Sequence, residues 1–198
     1  MVTRANSRSR RAAGIPKRPR KPASHEPRSW KSTDAAAAVR IFFSMAPNAA
    51  ARELMQELCS DDPSDHRCAA ELARLVSRRQ PGVLAGYADL LAEVAAELPT
   101  EEWQARGYVL VAAALNATKP AQRQRLLPLI RARLAEERIA VRAMGLEAFA
   151  FLAAEEPDLR DEAMELLEQQ RHSSEPALRA RARLMIPVVM RAATPQKR

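Results

Sequence analysis

The residues best suited to chemistry gather in one short stretch, Cys59-Ser60-Asp61-Asp62-Pro63-Ser64-Asp65-His66-Arg67-Cys68. Thiols, an imidazole and carboxylates are the donors that bind zinc, but structural zinc sites pair their ligands at short, fixed spacings. Two cysteines nine positions apart with one histidine between them follow no such pattern. The simpler reading is two helix residues flanking an acidic turn, so no metal and no cofactor is expected. Two cysteines in this chain also suit a reducing compartment better than a disulfide scaffold. His25, His66 and His172 lie far apart in sequence. The paired carboxylates Glu101-Glu102, Glu136-Glu137 and Glu155-Glu156 stand before helical stretches, where negative charge complements a helix N-terminus. There is no phosphate loop, no dinucleotide-binding glycine pattern and no metalloprotease histidine pair. A non-catalytic protein is expected.

The charge is unevenly placed. Residues 1–31 hold ten Lys or Arg and one acid, Glu26, for a net +9, whereas residues 32–198 sum to −1. The first segment is rich in Arg, Pro and Ser and poor in large apolar residues, so it is expected to be a disordered basic tail. Arg8, Arg10, Arg11, Lys17, Arg18, Arg20 and Lys21 are its candidate nucleic-acid contacts, and Lys17-Arg18-Pro19-Arg20-Lys21 is similar to a nuclear-import signal. After Glu175 there are no acids, so the C-terminal end, including a short tail over 194–198, is basic too. No run approaches the roughly 18 apolar residues of a membrane span. The expected location is cytoplasmic, with nuclear or nucleoid association as the alternative that the tail suggests.

Behind these residues stands a helical repeat. Hydrophobic residues make up 47% of the chain, and Ala and Leu dominate them, the residues that cost least in a helix. Ser32-Thr33-Asp34 offers N-cap chemistry for a helix over 34–46. Pro47, Pro81, Pro120, Pro157 and Pro195 then recur at offsets of 34, 39, 37 and 38, and each is expected to open a helix. Leu90-Leu91, Leu129-Ile130 and Leu166-Leu167 all fall nine and ten residues after their proline, and within 81–97 Val83, Tyr87, Leu90, Leu91 and Val94 share one stripe.

A second register runs through Arg67, Arg106, Arg142 and Arg179. Three residues after each comes Ala70, Val109, Gly145 or Ala182, and six after comes Ala73, Ala112, Ala148 or Met185. Small residues at that spacing let helices approach closely. The first unit fits least well, because Arg74 occupies a slot filled by Ala113, Phe149 and Ile186 elsewhere.

The segments LLPLI, AVRAMGLEAFAFLA and EPALRARARLMI, with Pro128 inside a first helix and a Val-Arg pair opening a second, resemble units of the HEAT-repeat family of α-solenoids. The resemblance covers roughly residues 47–192 as four helical pairs. It implies an all-α right-handed superhelix over residues 32–193, with an N-terminal capping helix, whose second helices line a concave face. It also implies that Arg106, Arg142 and Arg179 bridge adjacent units. The Trp, Leu-Gly, Tyr and Ala-x₃-Phe positions of tetratricopeptide repeats are not reproduced at a fixed period.

In this register the positions two, five and nine after each Arg point into the concave face. They are Tyr108, Val111 and Leu115, then Met144, Glu147 and Phe151, then Arg181, Leu184 and Val188. Seven of the nine are apolar or aromatic, more than a solvated face carries, so a protein partner is the leading expectation and a scaffold or adaptor the leading function. Nucleic-acid binding through the tail and the basic C-terminal end is the alternative. A third reading, by fold analogy alone, is a HEAT-like DNA glycosylase using Trp103, Arg106 and Glu102.

Overall fold

The computed structural model describes residues 34–193. Asp34 begins it as an N-cap: its Oδ1 accepts from the Ala37 N–H at 2.7 Å and satisfies one of the donors that a helix start leaves open. Helix α1 therefore runs Ala35–Ser44 rather than 34–46. Pro47 occupies the first turn of α2 (Pro47–Leu58), and Pro63 does the same for α3 (Pro63–Arg79), which Asp62 also caps through Ser64 N–H at 2.9 Å.

The remaining helices are α4 (Ala88–Glu97), α5 (Trp103–Asn116), α6 (Pro120–Leu134), α7 (Ile139–Glu155), α8 (Arg160–Arg171) and α9 (Pro176–Ala193). Among the described residues the fold is all-α. It is built of hairpins α2/α3, α4/α5, α6/α7 and α8/α9, with α1 packed on the first.

The proline register holds in part. Pro47 and Pro120 open helices, but Pro81 does not. Residues 81–84 form a turn with Gly82 at φ +81°, a left-handed conformation open to glycine, and α4 begins only at Ala88 after a 3₁₀ turn over Ala85–Tyr87. Tertiary hydrogen bonds replace helical ones here. Gly82 N–H donates to the Leu115 carbonyl at 3.1 Å, and Leu84 N–H to Asn116 Oδ1 at 2.7 Å. Pro157 opens a 3₁₀ turn, Pro157–Leu159, and α8 follows at Arg160. Pro195, like Ser32, Thr33 and the tail residues Arg8, Arg10, Arg11, Lys17, Arg18, Arg20 and Lys21, lies outside the described residues.

Two layers result. Helices α3, α5, α7 and α9 pack successively against one another, and α4 packs against α6 in the second layer. The predicted small-residue ladder is buried: Ala70, Val109 and Ala182 are sealed, as are Ala73, Ala112 and Ala148. Gly145 lets the backbone of α6 come close, since a Cβ there would lie 3.1 Å from Arg133 Cβ and 3.2 Å from Leu134 N. Exposed ion pairs join the second layer one repeat apart, Arg125 to Asp89 and Arg131 to Glu162, each at 2.9 Å. Such exposed pairs contribute at most about 1 kcal/mol each, so the apolar seam carries the stack.

The hydrogen bonds of Arg106 and Arg179 stay within single hairpins. Arg106 donates to the Ala95 carbonyl and Thr100 Oγ1, and Arg179 to the Ser173 and Ser174 carbonyls, all within their own hairpins. Arg106 also senses the charges of Arg133 and Glu136 in the next hairpin, and Arg142 lines a crevice between hairpins with Leu166 and Gln170 of α8 and Leu178 of α9.

Candidate functional site

The face of the first layer turned away from the second layer is built by α3, α5, α7 and α9. The nine sequence-selected positions divide on it according to how closely their helices are flanked. Tyr108, Leu115, Phe151, Arg181 and Val188 are half-buried, and Leu184 is 60% exposed. Val111 and Glu147 are buried and do not belong to an open surface, and Met144, also buried, only lines a cavity. Helices α5 and α7 have neighbours on both sides, so their contact arc is wider than a stripe defined from one partner. Met144 is also drawn in over Gly107, where a Cβ would lie 2.4 Å from the Met144 sulfur.

Two cavities indent this face. One, of about 390 Å³, is lined by Trp103, Gln104 and Tyr108 of α5, Met144 of α7, and Arg181 and Leu184 of α9. The other, of about 600 Å³, runs across all four helices and includes Arg78, Leu115, Phe151, Val188 and Arg191. The recess thus touches four successive helices. Its walls are mainly apolar with a few fixed polar groups, the make-up of a binding surface.

A polar cluster stands between the cavities. Glu147 is fully sealed from solvent. Its Oε2 accepts a hydrogen bond from Arg181 Nη1, and its Oε1 lies 2.9 Å from Arg78 Nε, an ion pair not aligned as a hydrogen bond. The Arg78 guanidinium is held below its usual value, first by burial. Glu147 opposes that shift, and the like charges of Arg74 and Arg181 add to it. Arg74 stacks 4.5 Å above the ring of Tyr108, whose hydroxyl accepts from Gln104 Nε2 at 2.9 Å. Arg74 Nε is buried with no hydrogen-bond acceptor in range among the described residues.

Arg74 and Arg78 were not among the sequence-selected positions. The available signal was the misfit of Arg74 in an otherwise apolar slot of the repeat. Such local departures from a pattern are where functional residues are expected. Buried Asn116 also went unnoticed; its Nδ2 donates to Ser77 Oγ at 2.8 Å and to the Ala112 carbonyl at 2.7 Å.

The other chemistry-bearing residues are engaged structurally. His66 Nδ1 lies 2.8 Å from Glu102 Oε2 and Nε2 lies 2.7 Å from the Ser60 carbonyl, linking the first two hairpins. Trp103 lies under the Arg138 guanidinium at 4.9 Å. Glu102 and Trp103, two of the glycosylase candidates, thus have different partners. Cys59 caps α2 and Cys68 lies on α3, both exposed, and no group of three metal-ligating side chains converges among the described residues. No helix among those residues is long and apolar enough to cross a membrane.

Compared with known proteins, the chain matches no protein-family model, no curated protein and no solved structure.

Proposed function

We propose that this protein is a non-catalytic α-solenoid adaptor that holds a protein partner on the concave face of α3, α5, α7 and α9. One observation carries the proposal: the four-helix recess with Leu115, Phe151 and Val188 in its walls, beside Leu184 at 60% exposure. Apolar surface of that kind is retained where a partner covers it. Tyr, Met, Phe and Arg are also the types enriched at interface centres, and Tyr108, Phe151 and Arg181 supply three of them. The test is the double substitution Tyr108→Glu with Phe151→Glu. Both side chains are half-buried rather than sealed, so the variant stays folded and loses its partner. Unfolding, or retention of the partner, contradicts the proposal.

The nucleic-acid alternative rests on the +9 charge of residues 1–31, which lie outside the described residues. It places binding in the tail and predicts sequence-independent affinity that falls steeply with salt.

A further inference from the structure

Two guanidiniums meet one carboxylate on the concave face, and a third stands beside them. Arg78 and Arg181 both reach Glu147, and Arg74 stands beside Arg78 over the ring of Tyr108. The cluster therefore keeps a local charge of about +2 at neutral pH, because arginine holds its proton throughout the ordinary range. Part of that charge is removed from water, and Arg74 Nε is left without an acceptor among the described residues. A buried donor without a partner is costly, and on a cation more so. An anion at the open side of the cluster meets charge-assisted donors once the Arg74 side chain turns to present its sealed Nε.

The surroundings choose which anion. Apolar walls lie on both sides of the cluster: Tyr108, Met144 and Leu184 on one, Leu115, Phe151 and Val188 on the other. A nucleic acid would match the charge but would set its repeated phosphates against those walls. The chain's own ends are repelled, since residues 1–31 carry +9 and no acid follows Glu175. The complement is a single acid flanked by apolar side chains.

We propose that Arg74, Arg78 and Arg181 form a carboxylate-binding subsite that takes one Asp or Glu side chain of an acidic–apolar partner peptide, whose flanking apolar residues fill the two cavities. This rests on the concave-face reading above. The subsite fixes the register of the peptide, and the cavities supply most of the buried area.

The test uses the full chain and an array of short synthetic peptides. Each carries one central Glu with Leu or Phe on either side, and matched sets carry Gln or Lys in its place. A single-stranded DNA oligonucleotide serves as the competing polyanion. Binding of the tightest peptide is then measured by fluorescence anisotropy. Central Glu→Gln in the peptide weakens binding by about tenfold or more, and Arg74→Gln in the protein has a matching effect. Arg74 is the informative position because Glu147 keeps Arg78 and Arg181 in that variant, so its melting temperature serves as a control for folding. Arg74→Lys recovers part of the affinity. Equal binding of Glu and Gln peptides, or an Arg74→Gln variant that binds normally, overturns the subsite. If those indifferent peptides are still lost on Tyr108→Glu with Phe151→Glu, the concave-face reading survives alone. If no peptide binds, or the oligonucleotide displaces the peptides at lower concentration than they displace one another, the proposed peptide class is wrong.

Discussion

Removing Arg181 should destabilise this protein far more than removing an arginine that makes an ion pair on the surface. The perturbation is Arg181→Met, which keeps the aliphatic stem and deletes the guanidinium. Its partner Glu147 is fully buried and loses the one aligned hydrogen bond to Oε2. What remains is Arg78 Nε, 2.9 Å from Oε1 but not aligned to donate. Loss of a charged hydrogen bond costs about 1.5–3 kcal/mol, and stripping one partner from a buried pair about 3–5 kcal/mol. With Arg78 still present, the overlap of the two ranges, about 3 kcal/mol, is expected. For a folded body of this size that lowers the melting temperature by about 6–12 °C.

The control is Arg131→Met. It breaks the 2.9 Å pair with Glu162, in which both side chains are about half exposed (54% and 50%), so about 1 kcal/mol or less is at stake. Adding Glu147→Leu to Arg181→Met should restore most of the lost stability, because the stranded carboxylate is replaced by an apolar group and Arg78, 32% exposed, can hydrate. The assay is urea and thermal unfolding followed by circular dichroism. If Arg181→Met costs no more than Arg131→Met, or if the double substitution is no more stable than the single one, Glu147 is not the sealed anchor described here.

Asn116→Ala should cost about 3 kcal/mol in the same assay, because the buried Leu84 N–H and Ser77 hydroxyl both lose a partner; a loss under about 1 kcal/mol would mean that water replaces the amide. Ala148→Leu places a larger side chain at a fully buried seam position and should cost about 1–3 kcal/mol, and an unchanged melting temperature would contradict the helix register. Deleting residues 1–31 should remove salt-sensitive affinity for duplex DNA in a filter-binding titration while leaving concave-face binding unchanged. Equal DNA binding by the remaining chain would move that affinity to the basic C-terminal helix.

The hairpin register was legible because it is written in local periodicity. Ala70, Val109, Gly145 and Ala182 fall three residues after their arginines, and all four are buried. The proline register was less faithful because a proline states only what its own φ and missing N–H allow. It opens a helix at Pro120, but at Pro81 the chain finds partners in Leu115 and Asn116, more than thirty residues away, and no local pattern announces them. The binding face was legible by side but not by depth. Helical spacing along α7 put Glu147 on the correct side of the helix, and only the packing of α5 and α9 against α7 decides that it is sealed. Arg74 shows the reverse: the repeat marked it as a misfit, but its stacking on Tyr108 depends on a helix one repeat away.

The most direct test of the central claim, that a partner sits on the concave face, is photo-crosslinking from two positions. A benzophenone amino acid replaces Leu184, exposed between Arg181 and Val188, in one variant, and Glu165, exposed on α8 in the other layer, in a second. Irradiation in the presence of the partner should give a defined adduct from position 184 that disappears on Tyr108→Glu with Phe151→Glu, and none from position 165. An adduct from position 165 with none from position 184 would place the partner on the opposite face and contradict the assignment.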